Sequence, residues 1–247
     1  MHLRGADVAD GEAQRVRVAE LRVREVDAPA GVHVEESHAR ESLEIAESLD
    51  DDALRAGALS VLAVLRFEDG DLGAPRLAER AYEAATAVAD AKLITDASWG
   101  LAHILVWSVE TARARALLES QYREWSERDE LGTMGALWYL SWVELRAGRW
   151  SLAAEYAERV WEIDIQYGME APQVIYLVAL VAAHRGELER ARDVAERSQE
   201  LADGLGGLTP GPVAALGLVE FLSGDAAAAS ASFAVAEEKA STIGWGE

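Results

Sequence analysis

Apolar and polar residues along the chain follow a helical spacing that glycine interrupts at a nearly constant interval. Gly148, Gly186 and Gly224 lie 38 residues apart, and Gly70 precedes Gly148 by 78 residues, which is two units of 39. The missing member is expected near Val109, where the helical pattern also breaks. Because glycine adopts a left-handed backbone conformation cheaply, each of these turns is predicted to end one helix and let the next fold back antiparallel.

Positions counted from these turns predict which helix faces pack. The residue seven before each turn is small, the residues eight and five before it are apolar, and an alanine recurs five after it. In the Gly70 unit that alanine is expected to be Ala78, with the second helix starting after Gly73. Helical spacing of apolar columns indicates amphipathic helices, here of about 14–18 residues each. The columns are Ala63, Ala102, Ser141, Ala179 and Gly217 (seven before); Leu62, Leu101, Leu140, Val178 and Leu216 (eight before); Leu65, Ile104, Val143, Val181 and Val219 (five before); and Ala114, Ala153, Ala191 and Ala229 (five after).

The pattern predicts an all-α fold, an α-solenoid of antiparallel helical hairpins with a period of 38–39 residues. Six hairpins are expected at about 10–50, 51–92, 93–130, 131–169, 170–207 and 208–245, forming a single domain over residues 1–247. The first hairpin is the weakest match and rests on two helix-compatible stretches, residues 12–26 and 35–49. Each hairpin would bury its apolar face only against its neighbours.

The small, leucine, glycine and alanine columns resemble the tetratricopeptide repeat. The interval is longer than the usual repeat of about 34 residues, and the tryptophan typical of the first helix of that repeat is absent. This longer, alanine- and arginine-rich form is similar to the helical-repeat region of large ATP-binding LuxR-type (MalT-like) transcriptional regulators. The likeness covers about residues 35–247 and includes the stretches 65–71 and 243–247. It implies a right-handed solenoid that acts as a non-catalytic sensor or interaction module.

Two features of the full-length regulators are absent from this sequence. It has no Gly-x-x-x-x-Gly-Lys-Ser/Thr phosphate loop, since Lys92 and Lys239 are its only lysines and neither follows a glycine. It also has no helix-turn-helix segment with a basic recognition helix. We therefore expect the chain to hold only the sensor or scaffold part, as a fragment or a stand-alone derivative of a longer regulator.

The repeat register also predicts a binding surface. By resemblance to the tetratricopeptide repeat, positions ten, six and two before each turn glycine should face the concave groove, as one stripe with a spacing of four. These positions place aromatic and polar residues on three adjacent units: Trp99, Trp138 and Tyr176; His103 and Trp142; and Trp107, Arg146 and His184, with Asp96 and Gln173 beside them. Such rings would bind a small amphipathic effector, an extended peptide or a partner helix. The alternative is that a tight superhelix packs its own concave side with them.

Composition narrows the function. The chain carries 44 acidic and 23 basic residues, a formal net charge of −21, so direct binding to nucleic acid is not expected. The absence of cysteine excludes thiol catalysis and zinc–thiolate sites. No stretch reaches the roughly 20 apolar residues that span a bilayer, and residues 1–7 contain no apolar run typical of a signal peptide. A cytoplasmic protein without cofactor or metal is expected.

Three functional hypotheses follow. The first is a sensor or interaction module that binds an effector or partner in the aromatic groove. The second is a generic peptide- or protein-binding scaffold without small-molecule sensing, with a homodimer through the terminal units as an added expectation. The third and weakest is an enzyme with His103 or His184 as base and Asp96 as its orienting carboxylate, because no Ser-His-Asp or Gly-x-Ser-x-Gly arrangement is visible.

Overall fold

The computed structural model describes residues 32–128 and 130–242, and side chains from Glu36 onward. Over these ranges the chain forms eleven α-helices and no strand. The helices are α1 (Val32–Leu49), α2 (Asp52–Glu68), α3 (Ala74–Val88), α4 (Ala91–Trp107), α5 (Thr111–Trp125), α6 (Glu130–Arg146), α7 (Trp150–Gln166), α8 (Pro172–His184), α9 (Leu188–Gly204), α10 (Gly211–Leu222) and α11 (Ala226–Thr242). The predicted helix over residues 12–26 lies outside the described residues. So does the stretch 243–247, which was part of the resemblance to the LuxR-type regulators.

The chain divides into two compact units, residues 1–107 and 108–247. In the first unit, α1 to α4 pack consecutively, and α2 also packs against α4. In the second unit, α5 to α11 pack consecutively, and α8 also packs against α10. Each unit is therefore an all-helical array of neighbouring helices, consistent with the predicted helical-repeat solenoid. The predicted single domain, the handedness and the period stay predictions.

The predicted turns have the expected backbone conformation. Gly70, Gly148, Gly186 and Gly224 have φ angles of 78°, 73°, 80° and 86°. Val109, the position inferred for the missing glycine, has φ 62°, although a β-branched residue rarely adopts this conformation. At Gly148 the next amide, of Arg149, donates to the carbonyl oxygen of Glu144 at 2.9 Å, which satisfies an end-of-helix acceptor.

The predicted packing columns lie in the interior. Every residue of the columns seven and five before the turn is buried, and the alanines five after it are at most 3% exposed. Ala78 is buried as well, at 2% exposure. In the column eight before the turn only Leu216 is half-buried rather than buried. Close packing explains why position 217 is a glycine, because a Cβ there would lie 2.9 Å from Cε1 of Phe233.

Two helices are shorter than predicted. The helices α8 and α10 contain 13 and 12 residues. Both begin beside a proline, Pro172 and Pro212, whose fixed φ and missing amide hydrogen suit the first turn of a helix and define its start. Within the described residues, no helix is both long enough and apolar enough to cross a membrane.

Candidate functional site

The first unit contains a ring cluster that we call the first aromatic cluster. It joins His103 and Trp107 of α4, both at predicted groove positions, to Phe67 of α2, which the register did not place there. The ring centroids of Phe67 and His103 are 6.0 Å apart and those of His103 and Trp107 are 6.2 Å apart, both edge-to-face. Burial lowers the pKa of His103 to about 4, because desolvation disfavours its charged form. The imidazole is therefore neutral at physiological pH and a weaker base than an exposed histidine, and its role as a catalytic base stays a prediction.

Two other predicted residues lie on the same helix. Trp99 is half-buried, and Asp96, one turn before it, accepts a hydrogen bond from Nζ of Lys92 at 2.9 Å. A close approach of α4 to α2 accompanies them, since a Cβ on Gly100 would lie 3.4 Å from Cγ2 of Val64. Asp96 is therefore held in an ion pair on its own helix.

The second unit also contains three rings in contact, which we call the second aromatic cluster. They are Trp138 and Trp142 of α6 and Tyr176 of α8. Their centroids follow one another at 6.1 and 6.2 Å. Nε1 of Trp138 donates to the backbone carbonyl of Gln173 at 3.4 Å, so Gln173 takes part through its backbone. Trp142 is only 8% exposed, and burial raises the pKa of Tyr176 to about 12. These two rings are largely interior, whereas Trp138 is half-exposed.

Arg146 and His184 stand at the exposed ends of α6 and α8. Partial burial lowers the pKa of the Arg146 guanidinium from its ordinary value. Nδ1 of His184 lies 2.9 Å from the carbonyl oxygen of Leu180, and its ring lies 5.8 Å from that of Trp150. The sequence reasoning missed Trp150, whose position directly after the turn follows no helical column.

The exposure of the stripe residues in each unit varies with their position relative to the turn. The described residues ten before the turn are all half-buried, and those two before it are half-buried or exposed. Six before the turn, only Trp142 is buried. The stripe therefore reaches the surface along one edge of the first helix of each hairpin, while the columns beside it are interior. Whether it binds a ligand stays a prediction.

A buried ionic network in the second unit was not predicted. Glu144 of α6 is 1% exposed and contacts two arginines, Arg115 of α5 at 2.7 Å and Arg149 at the turn into α7. Burial raises the pKa of the Glu144 carboxyl, but hydrogen bonds and charge from Arg149 and Arg115 outweigh this, so the pKa lies below its ordinary value. The sequence feature that could have predicted this network is the position of Glu144 within the mostly apolar stretch 140–145.

A second unpredicted acid, Asp164, lies at the end of α7. It is fully buried, and both its carboxylate oxygens accept from the amide of Ala171 at 3.2 Å, just before α8. Desolvation raises the pKa of Asp164 above its ordinary value; the backbone hydrogen bond from Ala171 opposes this shift. Asp164 therefore connects the end of α7 to the start of α8 through a hydrogen bond.

The second unit also has an open cavity of about 500 Å³ near the α6–α7 turn. The side chain of Trp150 is 42% exposed there. Its lining residues are Gly148, Arg149, Trp150, Ser151, Leu152 and Arg185. Over residues 36–128 and 130–242, no group of three or more histidine, aspartate or glutamate side chains is arranged to hold a metal ion.

Comparisons with known proteins bear on the fold alone. No protein-family model matches the chain, and no curated protein matches it significantly. Among solved structures, it is similar to the crystal structure of BtubC (BKLC) from P. vanneervenii, with a TM-score of 0.63 and 20% sequence identity. The match covers 88% of this chain and 94% of BtubC. At this identity the likeness shows a shared fold.

Proposed function

We propose that this chain is a non-catalytic binding module whose aromatic stripe contacts an effector or a partner. The observation that carries the proposal is the contrast in burial along the first helices. Residues five and seven before each turn are buried, whereas most ring residues of the stripe stay partly exposed. Half-exposed indole rings provide rigid contact area at low entropic cost, which suits recognition.

The same geometry favours a peptide or protein partner over a small effector. The rings of Trp142 and Tyr176 already pack against each other and are largely buried. What remains exposed is the edge of Trp138 together with Arg146 and the side chain of Gln173. A surface of this kind suits an extended segment or a helix, so the scaffold without small-molecule sensing is the second candidate function.

The non-catalytic part of the proposal has support in the residues once considered for catalysis. His103 is neutral and enclosed by two rings, and Asp96 is paired with Lys92. The proposal that the chain is part of a LuxR-type transcriptional regulator rests only on the recurring residue columns and stays a prediction. The cytoplasmic location and the homodimer also stay predictions.

A screen with matched tryptophan variants tests the proposal. Thermal shift would be measured with amphipathic small molecules and with candidate peptides, and each hit would be titrated by calorimetry against Trp138→Ala and Trp161→Ala. Trp161 is a fair control because both indoles are half-buried against the same core of Leu137, Val160 and Val174. We expect Trp138→Ala to weaken binding by about tenfold, or 1.4 kcal/mol, with Trp161→Ala unchanged.

The identity of the hit then decides between the two candidates. A small molecule that loses affinity in Trp138→Ala supports an effector sensor, and a peptide that does so supports a scaffold. Equal losses in both variants would mean that binding follows general stability and that the aromatic stripe is packing only.

A further inference from the structure

The cavity at the α6–α7 turn is electrostatically unusual for this chain. Acids outnumber bases 44 to 23, yet none of the six residues that line the cavity is acidic and two are arginines. It is separate from the second aromatic cluster, because none of Trp138, Trp142 and Tyr176 lines it.

The buried network beneath the cavity leaves positive charge at its surface. Arg149 and Arg115 both contact the carboxylate of Glu144, while Glu119 acts on Arg149 through charge without a contact in the ion-pair geometry. Glu144 is 1% exposed, whereas the side chain of Arg149 is 48% exposed. The carboxylate therefore fixes Arg149 from below while its guanidinium remains accessible from the cavity.

A second arginine faces the cavity from the turn that follows α8. The side chain of Arg185 is 37% exposed, and its Nε lies 2.8 Å from Oε1 of Glu187. Nη1 of Arg190 lies 3.3 Å from the other oxygen of Glu187, and Arg190 also contacts Glu158. Arg185 is thus positioned by a carboxylate outside the cavity lining.

Trp150 supplies a flat apolar surface between these charges. Its ring is held by His184 at 5.8 Å between centroids and a 56° angle. Guanidinium groups match the geometry of carboxylate and phosphate oxygens, and an exposed indole face stacks on planar rings. A cavity of about 500 Å³ is also in the range typical of small-molecule sites.

We propose that this cavity binds a small molecule in which an oxyanion, a carboxylate or a phosphate, is joined to a flat ring. Arg149 and Arg185 bind the oxyanion, and Trp150 stacks on the ring. The site shares no lining residue with the second aromatic cluster, and Ser151 adds a hydroxyl to the lining.

The test uses the full chain labelled with 5-fluorotryptophan and observed by ¹⁹F NMR. The resonance of Trp150 is assigned from its loss in Trp150→Phe. The probes are 1-naphthyl phosphate and 1-naphthoate, which separate the two oxyanion sources, and 1-naphthol and inorganic phosphate, which each carry half of the ligand. We expect either full probe to shift the Trp150 resonance saturably, and each half probe to bind at least about tenfold more weakly.

Charge variants test the arginine assignment. Arg185→Gln should weaken binding of the full probe by about tenfold. Arg159→Gln is the control, because Arg159 is an exposed, ion-paired arginine of α7 outside the cavity lining. Circular dichroism would establish that both variants fold, as expected for changes at the surface.

Three outcomes would overturn the proposal: no saturable shift with any probe, equal affinity in Arg185→Gln, or inorganic phosphate binding as tightly as 1-naphthyl phosphate. Failure here is distinguishable from failure of the proposed function. Trp138→Ala should leave probe binding intact, and Trp150→Phe should leave partner binding intact.

Discussion

Each aromatic cluster is centred on the residue six before a turn, and the two clusters differ in the ring at that inner position. Six residues before the turn, the first cluster has His103 between Phe67 and Trp107, and the second has Trp142 between Trp138 and Tyr176. One inner ring can take up a proton and the other cannot. Equivalent positions of a repeat can therefore share geometry and still respond differently to solution conditions.

The difference has an energetic consequence. A neutral imidazole is readily buried between rings, but its protonated form loses hydration there, and this lowers the pKa of His103. The indole of Trp142 has no such charged form, so its burial contributes packing at any pH. The first cluster should be sensitive to acid through its inner ring, and the second should be sensitive to loss of ring volume.

The largest expected effect is at the inner ring of the second cluster. Trp142→Ala should destabilise the protein by about 3–5 kcal/mol, because a side chain that is 8% exposed leaves a cavity between Trp138 and Tyr176. Denaturant unfolding followed by circular dichroism measures the loss. Trp142→Phe retains an aromatic ring and should cost clearly less. A loss below about 1 kcal/mol in Trp142→Ala would contradict an interior role.

The next effect appears in the first cluster, and only in acid. Because the pKa of His103 is about 4 in the folded state and about 6.5 when unfolded, the unfolded chain binds more protons between these values. Stability at His103 is therefore present above pH 6.5 and lost as the pH falls towards 4, by up to about 3 kcal/mol.

His103→Phe isolates this contribution from the many carboxylates that titrate in the same range. The free energy of unfolding of wild type minus that of the variant, measured from pH 8 to pH 4, should fall as the pH falls. A constant offset at pH 8 reports the packing of the new ring and is subtracted. Parallel pH profiles would show that His103 is not a buried neutral imidazole.

Sequence reasoning predicted the features that depend on local conformation and on the repeat. Glycine φ angles at the turns, the left-handed Val109 and the burial of Ala153 or Val143 all follow from the helical pattern along the chain. It also predicted a stripe on the first helices, and most residues of this stripe are half-buried or exposed, whereas its groove-facing role stays a prediction. The late starts of α8 and α10 were missed because the apolar spacing masked the effect of proline on where a helix begins.

Contacts between helices could not be predicted in the same way. Glu144 contacts Arg115, 29 residues away, and Trp150 lies against His184 of another hairpin. Such pairs depend on the angle and distance between helices and on side-chain rotamers, which no column of the sequence encodes. The burial of Trp142 is of the same kind, because it depends on the neighbouring rings of Trp138 and Tyr176.

A smaller effect is expected where the second cluster meets the backbone. A Cβ on Gly211 would lie 2.5 Å from Cε1 of Tyr176, closer than side chains tolerate. Gly211→Ala should therefore displace the ring and destabilise the protein by about 1–3 kcal/mol, measured as a lower melting temperature. Gly204→Ala is the control, because its Cβ would meet nothing within 4 Å. Equal effects of the two changes would remove the contact with Tyr176 as the cause.

The smallest expected effect has the opposite sign and belongs to the first unit. Gly100 lies in the middle of α4, and a Cβ there would meet Cγ2 of Val64 at 3.4 Å, an ordinary contact. Because alanine favours the helix and narrows the unfolded ensemble, Gly100→Ala should stabilise the protein by about 0.5–1 kcal/mol, seen as a raised melting temperature. If Gly100→Ala destabilised as much as Gly211→Ala, the contact of α4 with Val64 in the first unit would be as tight as the contact of α10 with Tyr176. The difference between the two aromatic clusters would then be confined to the chemistry of the inner ring.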